Sequence, residues 1–230
     1  MTKKLSESFL TGQDSRPIVR DLHFACPMHR DVVAAFRRLQ QIAADAGQCL
    51  QIASGYRDFA RQLLIWNEKV SGKRPLLDQA GEVILANDMS EWELIQYILR
   101  WSALPGASRH HWGTDFDVYN PDCLPENYQL QLTREEYEQG ALKSFNRWLS
   151  AAIDSPDGDF FRPYQRSDVG VAPEPWHISY RPLANQFQQQ LTIEMLASTI
   201  TKADLLLKDC VLQHLDEIFH RFVRNNRCVE

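Results

Sequence analysis

Nowhere does this sequence hold the roughly 20 consecutive apolar residues that a helix needs to cross a bilayer, which excludes a spanning helix. Basic stripes are missing too. The net charge is −5, with lysine and arginine scattered along the chain, so binding to nucleic acid, which depends on neutralising phosphates, is not expected. Cysteine is sparse and unpatterned: Cys26, Cys49, Cys123, Cys210 and Cys228 are odd in number and include no CxxC pair. That argues against a disulfide framework, and the five read as reduced thiols packed as small hydrophobes. The first residues, Met1 to Leu10, carry two lysines with no apolar run or small-residue cleavage site behind them, so a cytoplasmic location is expected. No internal repeat or low-complexity segment interrupts the chain.

What is present is enough apolar content, 44% over 230 residues, to bury one substantial core. The expected organisation is one unit over residues 1–182, with a C-terminal helical extension, residues 183–230, packed on it. From His29 to Ala46, apolar Val32, Val33, Phe36, Leu39, Ile42 and Ala43 recur at helical steps before Gly47 stops the run. Cys49 to Ser54 reads as a strand ending at Gly55, Asp58 to Val70 as a helix, and Ser71 to Asn87 as a loop or hairpin. Ser90 with Glu93, and Thr133 with Glu136, have the spacing of capping boxes. The first opens a helix ending near Pro105-Gly106; the second opens a longer one through Trp148 and Ile153, closed by a turn at Asp154 to Asp159. Strands are predicted at Thr114 to Tyr119, Phe160-Phe161 and Trp176 to Arg181. Leu183 to Arg224 has the pattern of a helical pair covering the core, with a homodimer surface or a lid as the sharper alternative.

Ser108-Arg109-His110-His111-Trp112-Gly113-Thr114-Asp115-Phe116-Asp117 carries two strong metal-ligand types, His110 and Asp117, separated by a glycine that permits a sharp turn into the strand. Alternation along that strand turns Phe116 and Val118 one way and Asp115 and Asp117 the other. Glu174-Pro175-Trp176-His177-Ile178-Ser179-Tyr180 alternates likewise, with His177 and Ser179 sharing the polar face. Pairing the two strands sets His177 opposite Asp117, and His110 closes a three-ligand set that leaves one position of a zinc ion open to water. Such an ion lowers the pKa of its water toward ~7 and polarises a scissile carbonyl. Glu174, near one ligand and stiffened by Pro175, is placed to take the proton.

The SxHxxGxxxD segment, the later ExWH segment and the upstream Ser54-Gly55-Tyr56-Arg57 together resemble the VanY-type D-alanyl-D-alanine carboxypeptidases, within the lysostaphin, D-Ala-D-Ala peptidase and Sonic hedgehog superfamily. The similarity spans about residues 30–182. It implies an α+β fold in which a small antiparallel sheet carries the zinc site, flanked by helices, and a peptidoglycan stem peptide as substrate. It also implies one Zn2+ per chain on His110, Asp117 and His177, with Glu174 as base and Arg57, Gln62 and Ser108 in the substrate pocket. Arg57 has its own rationale, since a guanidinium offers a bidentate fork to the free terminal carboxylate that a carboxypeptidase must recognise. Two departures stand out: Asp115 replaces a commoner small residue, and Arg162-Pro163-Tyr164 replaces an adjacent Arg-Tyr pair, which leaves Tyr164 unassigned.

Blander readings compete at several positions. His111 is either a simple exposed residue or an outer support for the metal or an oxyanion, and Gln62 is as readily solvent-facing as pocket-lining. Trp112, Phe116 and Trp176 have the phase of core residues rather than of a stacking set. The motifs do not separate an L,D-carboxypeptidase, which trims tetrapeptides, from a D,D-enzyme, which trims pentapeptides. A cytoplasmic D,D-enzyme would attack the precursor of wall synthesis, so L,D activity in murein recycling is favoured. A phage lysin fits less well with a carboxylate-binding arginine, and a structural zinc in a binding protein has no need of Glu174.

Overall fold

The computed structural model describes residues 4–78, 81–153, 158–166 and 170–224. Cys228 and most of the turn expected at Asp154 to Asp159 lie outside these residues. The fold is α+β, organised on a four-stranded antiparallel sheet in the order β3 (Gln51–Ser54), β6 (Asp115–Tyr119), β8 (His177–Tyr180) and β7 (Phe160–Phe161). Two smaller pairs accompany it: β1 (Ile18–Val19) with β2 (Met28–His29), and β4 (Leu76–Leu77) with β5 (Val83–Ile84), the latter a hairpin within the expected loop.

The sheet's two faces follow from strand alternation. Phe116, Val118 and Ile178 turn to one side and pack with Phe36, Leu39, Ile52, Phe145, Leu149 and Phe160 in a buried cluster. Helix α2 (Val33–Asp45) lays Ala35, Phe36, Leu39 and Ala43 against it, and Ile42, which the periodicity places on the same face, is exposed instead. The helix also starts later than predicted, because His29 is held in the β1–β2 pair and its backbone N–H donates to the Gly113 carbonyl at 2.9 Å. Burying side chains of this size is worth about 1.5–3 kcal/mol each, which makes this face the anchor of the sheet.

A second cluster gathers α1 (Glu7–Leu10), α3 (Phe59–Val70), α4 (Glu91–Trp101) and the C-terminal helices around Leu10, Trp66, Ile95, Ile98, Leu99, Phe187, Leu196 and Ile200. Both α3 and α4 start at a side-chain cap: Asp58 accepts from the Arg61 N–H at 2.7 Å, and Ser90 with Glu93 closes a full capping box. Each cap contributes about 1 kcal/mol. The predicted long helix after Thr133 is two, α5 (Arg134–Glu138) and α6 (Lys143–Ile153). The break falls at Gly140, whose N–H donates to the Glu135 carbonyl at 2.7 Å and where an added Cβ would lie 3.0 Å from the Glu136 Cα, a tight contact.

The C-terminal residues also form more elements than the predicted pair: α7 (Arg181–Gln190), α8 (Ile193–Lys202), α9 (Lys208–Gln213), α10 (Leu215–Ile218) and a π-helical turn, Phe219–Arg224. Thr192 caps α8 by accepting from Met195, and Leu207 in a left-handed conformation starts α9, so the apolar stripe is cut into short pieces. These helices lock onto the rest of the chain where the Trp66 indole donates to the Leu206 carbonyl at 3.0 Å. The segment Leu104 to Trp112 belongs to this second cluster, whereas β6 and β8 belong to the first, so their polar side chains meet at the seam.

Gly113 makes that meeting possible. Its φ of +64° turns the chain from the 3-10 turn Arg109–Trp112 into β6, and a Cβ there would lie 2.7 Å from the His29 backbone nitrogen. Gly113→Ala is expected to destabilise the fold by about 2–4 kcal/mol through left-handed strain and steric overlap. Urea unfolding checks this, and an unchanged midpoint would contradict the assigned role.

Candidate metal centre

His110 comes from the 3-10 turn, Asp117 from β6 and His177 from β8, where the register places Asp117 and His177 directly opposite each other. One ligand atom from each of the three lies within 4.8 Å of the others, and all three residues are buried. The carboxylate stands between the rings: Asp117 Oδ2 is 3.6 Å from His110 Nε2, and Oδ1 is 3.1 Å from His177 Nδ1.

Neighbouring acceptors fix which nitrogen of each ring faces inward. His110 Nδ1 is 2.8 Å from the Gly55 carbonyl, which can only accept, so that nitrogen carries the proton and Nε2 presents its lone pair. His177 Nε2 is 3.0 Å from Asp115 Oδ1 and donates to it, which leaves Nδ1 facing Asp117. Asp117 Oδ1 and His177 Nδ1 are both buried without a hydrogen-bond partner. Held 3.1 Å apart out of water, these two atoms need a positive charge between them, either a proton on Nδ1 or a metal ion. Two oriented imidazoles and a carboxylate of this kind fit a divalent metal, and a carboxylate behind a ligating histidine is the usual outer support of such sites.

The electrostatics agree. Burial, aided by the Arg57 guanidinium, lowers His110 to about 3, so it is a neutral ligand at physiological pH. Burial works against the charged forms of Asp117 and His177, yet each is held ionised by its partners. His110, His177 and Arg57 lower Asp117 to about 2. Asp115, Asp117 and Glu174 hold His177 well above the usual histidine range. A proton on His177 Nδ1 and a divalent ion thus compete for one position between His177 and Asp117.

Glu174 precedes this strand on a turn in which its N–H donates to the Tyr164 carbonyl at 3.0 Å and its carbonyl accepts from the His177 N–H at 3.1 Å. Its Oε2 lies 3.3 Å from His177 Nδ1. Burial, with Asp117 nearby, raises its pKa while His177 lowers it, the net direction being upward. A carboxyl so tuned is suited to take up and return a proton.

These residues open on a cavity of about 240 Å³ whose lining includes Arg57, Ser108, Tyr164, Glu174, Phe222 and Val223. The Arg57 side chain is 25% exposed, with Nη2 2.9 Å from Ser54 Oγ and 3.3 Å from Asp117 Oδ2. Its backbone is clamped by the histidine pair, since Arg57 N–H donates to the His110 carbonyl and His111 Nδ1 meets the Arg57 carbonyl at 2.7 Å.

Three positions differ from the sequence reading. Gln62 is fully buried and is absent from the cavity lining; its amide donates to the Ala103 carbonyl at 2.8 Å and its oxygen faces Arg57 from behind at 3.5 Å. It steadies the guanidinium rather than facing the pocket or solvent. His111 is neither exposed nor turned to the metal position: its second nitrogen accepts from the Gly106 N–H at 3.0 Å, so both ring nitrogens serve the backbone. Tyr164, unassigned from sequence, lines the cavity with its ring edge-on to His177 at 4.8 Å.

Residues that sequence reasoning passed over are Arg109 and the role of Asp115. Arg109 donates through Nε to Asp115 Oδ1 at 2.7 Å, and Thr114 Oγ1 donates to the other oxygen at 2.6 Å. The unusual aspartate in the strand was the one available signal.

A small antiparallel sheet carrying one imidazole and a carboxylate, joined by a second imidazole from the adjoining 3-10 turn and a further acid before the strand, is the arrangement of a metallopeptidase. The profile of the VanY family, D-alanyl-D-alanine carboxypeptidase, matches residues 26–183, and the chain belongs to that family. An uncharacterized protein of Haemophilus influenzae is 40% identical over 122 residues, covering 52% of this chain and 92% of its own length. Among solved structures, VanYB in complex with D-alanine-D-alanine aligns with a TM-score of 0.50 at 23% identity, over 79% of this chain and 88% of that one. The LdcB LD-carboxypeptidase aligns with a TM-score of 0.52 at 19% identity, over 81% and 79%. At these identities the two structures speak to the fold.

Because a metal must displace the His177 proton, which its carboxylate neighbours hold above the usual histidine range, divalent-metal affinity is expected to rise as pH is raised through and beyond that range, with protons released on binding. Calorimetry in buffers of different ionisation enthalpy measures the release. Affinity independent of pH would rule out the arrangement.

Proposed function

We propose that this chain is a zinc-dependent L,D-carboxypeptidase that removes the terminal D-Ala from murein tetrapeptides during recycling in the cytoplasm. The observation that carries the hydrolase reading is the convergence of His110, Asp117 and His177 within 4.8 Å, with Glu174 at 3.3 Å from the inward nitrogen of His177. Two nitrogens and one oxygen suit zinc, and three protein ligands are the pattern of a catalytic site rather than a closed structural one. When bound, zinc supplies the Lewis acidity that polarises a scissile carbonyl and acidifies water.

The chain's own residues supply the rest. Arg57, facing the cavity beside Asp117, pairs with the terminal carboxylate of the leaving D-Ala and so fixes which bond lies over the ligands. Glu174 takes a proton from the attacking water and delivers it to the amine as the C–N bond breaks. Tyr164, whose hydroxyl burial holds protonated well above the usual tyrosine range, remains a neutral donor in the wall. Asp117 and His110 stay in their ligand forms throughout.

Glu174→Gln tests the division of labour. The amide is expected to keep zinc binding and to lower kcat by about 10²–10⁴, as read by metal analysis and peptide hydrolysis on the same sample. A variant that turned over at the wild-type rate would remove Glu174 from the reaction.

The choice of bond rests on separate support. Cys26, Cys49, Cys123 and Cys210 are free thiols, the state that a reducing compartment preserves. In such a compartment a D,D-enzyme would consume the pentapeptide precursor, whereas an L,D-enzyme trims tetrapeptides released from the wall. Mass spectrometry after incubating zinc-loaded protein with tetrapeptide and pentapeptide separately decides the matter. Loss of one D-Ala from the tetrapeptide alone is expected; loss from the pentapeptide alone would replace this reading with the D,D alternative.

A further inference from the structure

Behind His177 lies a buried chain of hydrogen bonds that leaves the sheet and ends in the C-terminal helices. Asp115 Oδ1 accepts from both His177 Nε2, at 3.0 Å, and Arg109 Nε, at 2.7 Å. The Arg109 fork is held by two further acceptors: Ser179 Oγ at 2.7 Å on Nη2, and Gln188 Oε1 at 2.6 Å on Nη1. Asp115 and Ser179 are register partners across β6 and β8, so they belong to the sheet. Gln188 comes from α7, and its amide nitrogen donates to the Val223 carbonyl of the π-helical turn at 3.0 Å. Arg109, Asp115, Ser179 and Gln188 are all buried.

The chemistry leaves Gln188 a single orientation. A guanidinium only donates and a carbonyl only accepts, so the amide oxygen must face Arg109 and the amide nitrogen must face Val223. The amide therefore ties the position of the guanidinium to the backbone of the turn. The guanidinium in turn fixes Asp115 Oδ1, and that oxygen sets the plane of the His177 ring and the aim of its Nδ1. The same turn supplies Phe222 and Val223 to the cavity wall. It is also seated against the segment leading to Glu174, where Gly170 lies so close to the Arg221 carbonyl and the Phe222 ring that no Cβ would fit.

We infer that the Gln188 side chain of α7 is part of the metal centre, and that Gln188, beyond the stretch 26–183 matched by the family profile, is a positioning residue for the ligand His177. The inference rests on the metal reading given above. It differs from a merely structural role in one respect: loss of the Gln188 amide is felt at the metal and not only in stability.

The test measures Zn2+ affinity of the full chain by competition with a chromophoric chelator, and records the Co2+ absorption spectrum as a probe of ligand geometry. Gln188→Met keeps the length and removes both hydrogen bonds; it is expected to weaken Zn2+ about 10- to 100-fold and to alter the Co2+ spectrum. Gln188→Asn, which withdraws the amide by one methylene, is expected to move affinity the same way and provides the reading should the Met variant not fold. Leu215→Ala, a buried change in the same helical cluster but outside this chain of bonds, is expected to lower the melting temperature with Zn2+ affinity unchanged. Wild-type affinity in a folded Gln188 variant would overturn the inference alone, as would an equal loss of affinity in Leu215→Ala. A wild-type protein that did not bind Zn2+ would sink the metal reading itself.

Discussion

One imidazole held between two carboxylates of the same strand organises this molecule. Asp115 and Asp117 are alternate residues of β6, so their side chains leave the same face roughly 6.6 Å apart along the strand. His177 stands across from them and meets Asp115 with one nitrogen at 3.0 Å and Asp117 with the other at 3.1 Å. The first contact fixes the ring, and the second directs Nδ1, once its proton is displaced, to the position where His110 also points. Everything that fixes the β6–β8 register therefore fixes the ligand set, and a slip by one residue would turn both carboxylates into the apolar core.

That register is held from both sides. Below the sheet, Phe116, Val118 and Ile178 are fully buried against α2 and α6, so slippage would expose them while burying charge. Above it, the polar face is covered rather than solvated, and its charges are paired internally. Arg109 lies against Asp115, Arg57 beside Asp117, and Trp112 and Phe161 flank the Arg109 guanidinium at 5.3 and 5.6 Å. Burying so many ionised groups stabilises little by itself, because desolvation offsets much of the attraction. What the arrangement provides is a set of ligand atoms held among groups that cannot easily rotate, which is what a metal site requires.

Much of this was legible in the sequence because it depends on local rules. Alternation in Asp115–Tyr119 and in His177–Tyr180 separates core from polar faces, the capping boxes at Ser90 and Thr133 are closed as their spacing predicts, and Gly113 marks the turn. What was not legible depends on chain segments meeting. The burial of His111 comes from Gly12, which packs so tightly on its ring that a Cβ would overlap it, and nothing near His111 announces a partner so far away in the chain. Gln62 reads as a pocket residue or a surface residue on helix α3, and its actual role behind Arg57 is set by the Ala103 carbonyl, contributed from beyond α4. The single helix expected after Thr133 failed on Gly140, where propensity alone does not show that the Glu135 and Glu136 backbone needs the space.

Asp115 is where these two kinds of information meet. Strand alternation puts Asp115 and Asp117 on one face and cannot say which of them binds metal. Position decides it: Asp117 lies between His110 and His177, whereas Asp115 lies on the far nitrogen of His177 and is occupied by Thr114 and Arg109. A small residue at 115 would leave His177 Nε2 without that acceptor and Arg109 without its nearest counter-charge, in a place where neither has water to turn to. Asp115 and Arg109 therefore act as one buried ion pair, held in place because the α7 side chain Gln188 and the strand residue Ser179 accept from the rest of the guanidinium. The metal centre of this chain is larger than its ligands, and part of its support comes from helices that follow the last strand.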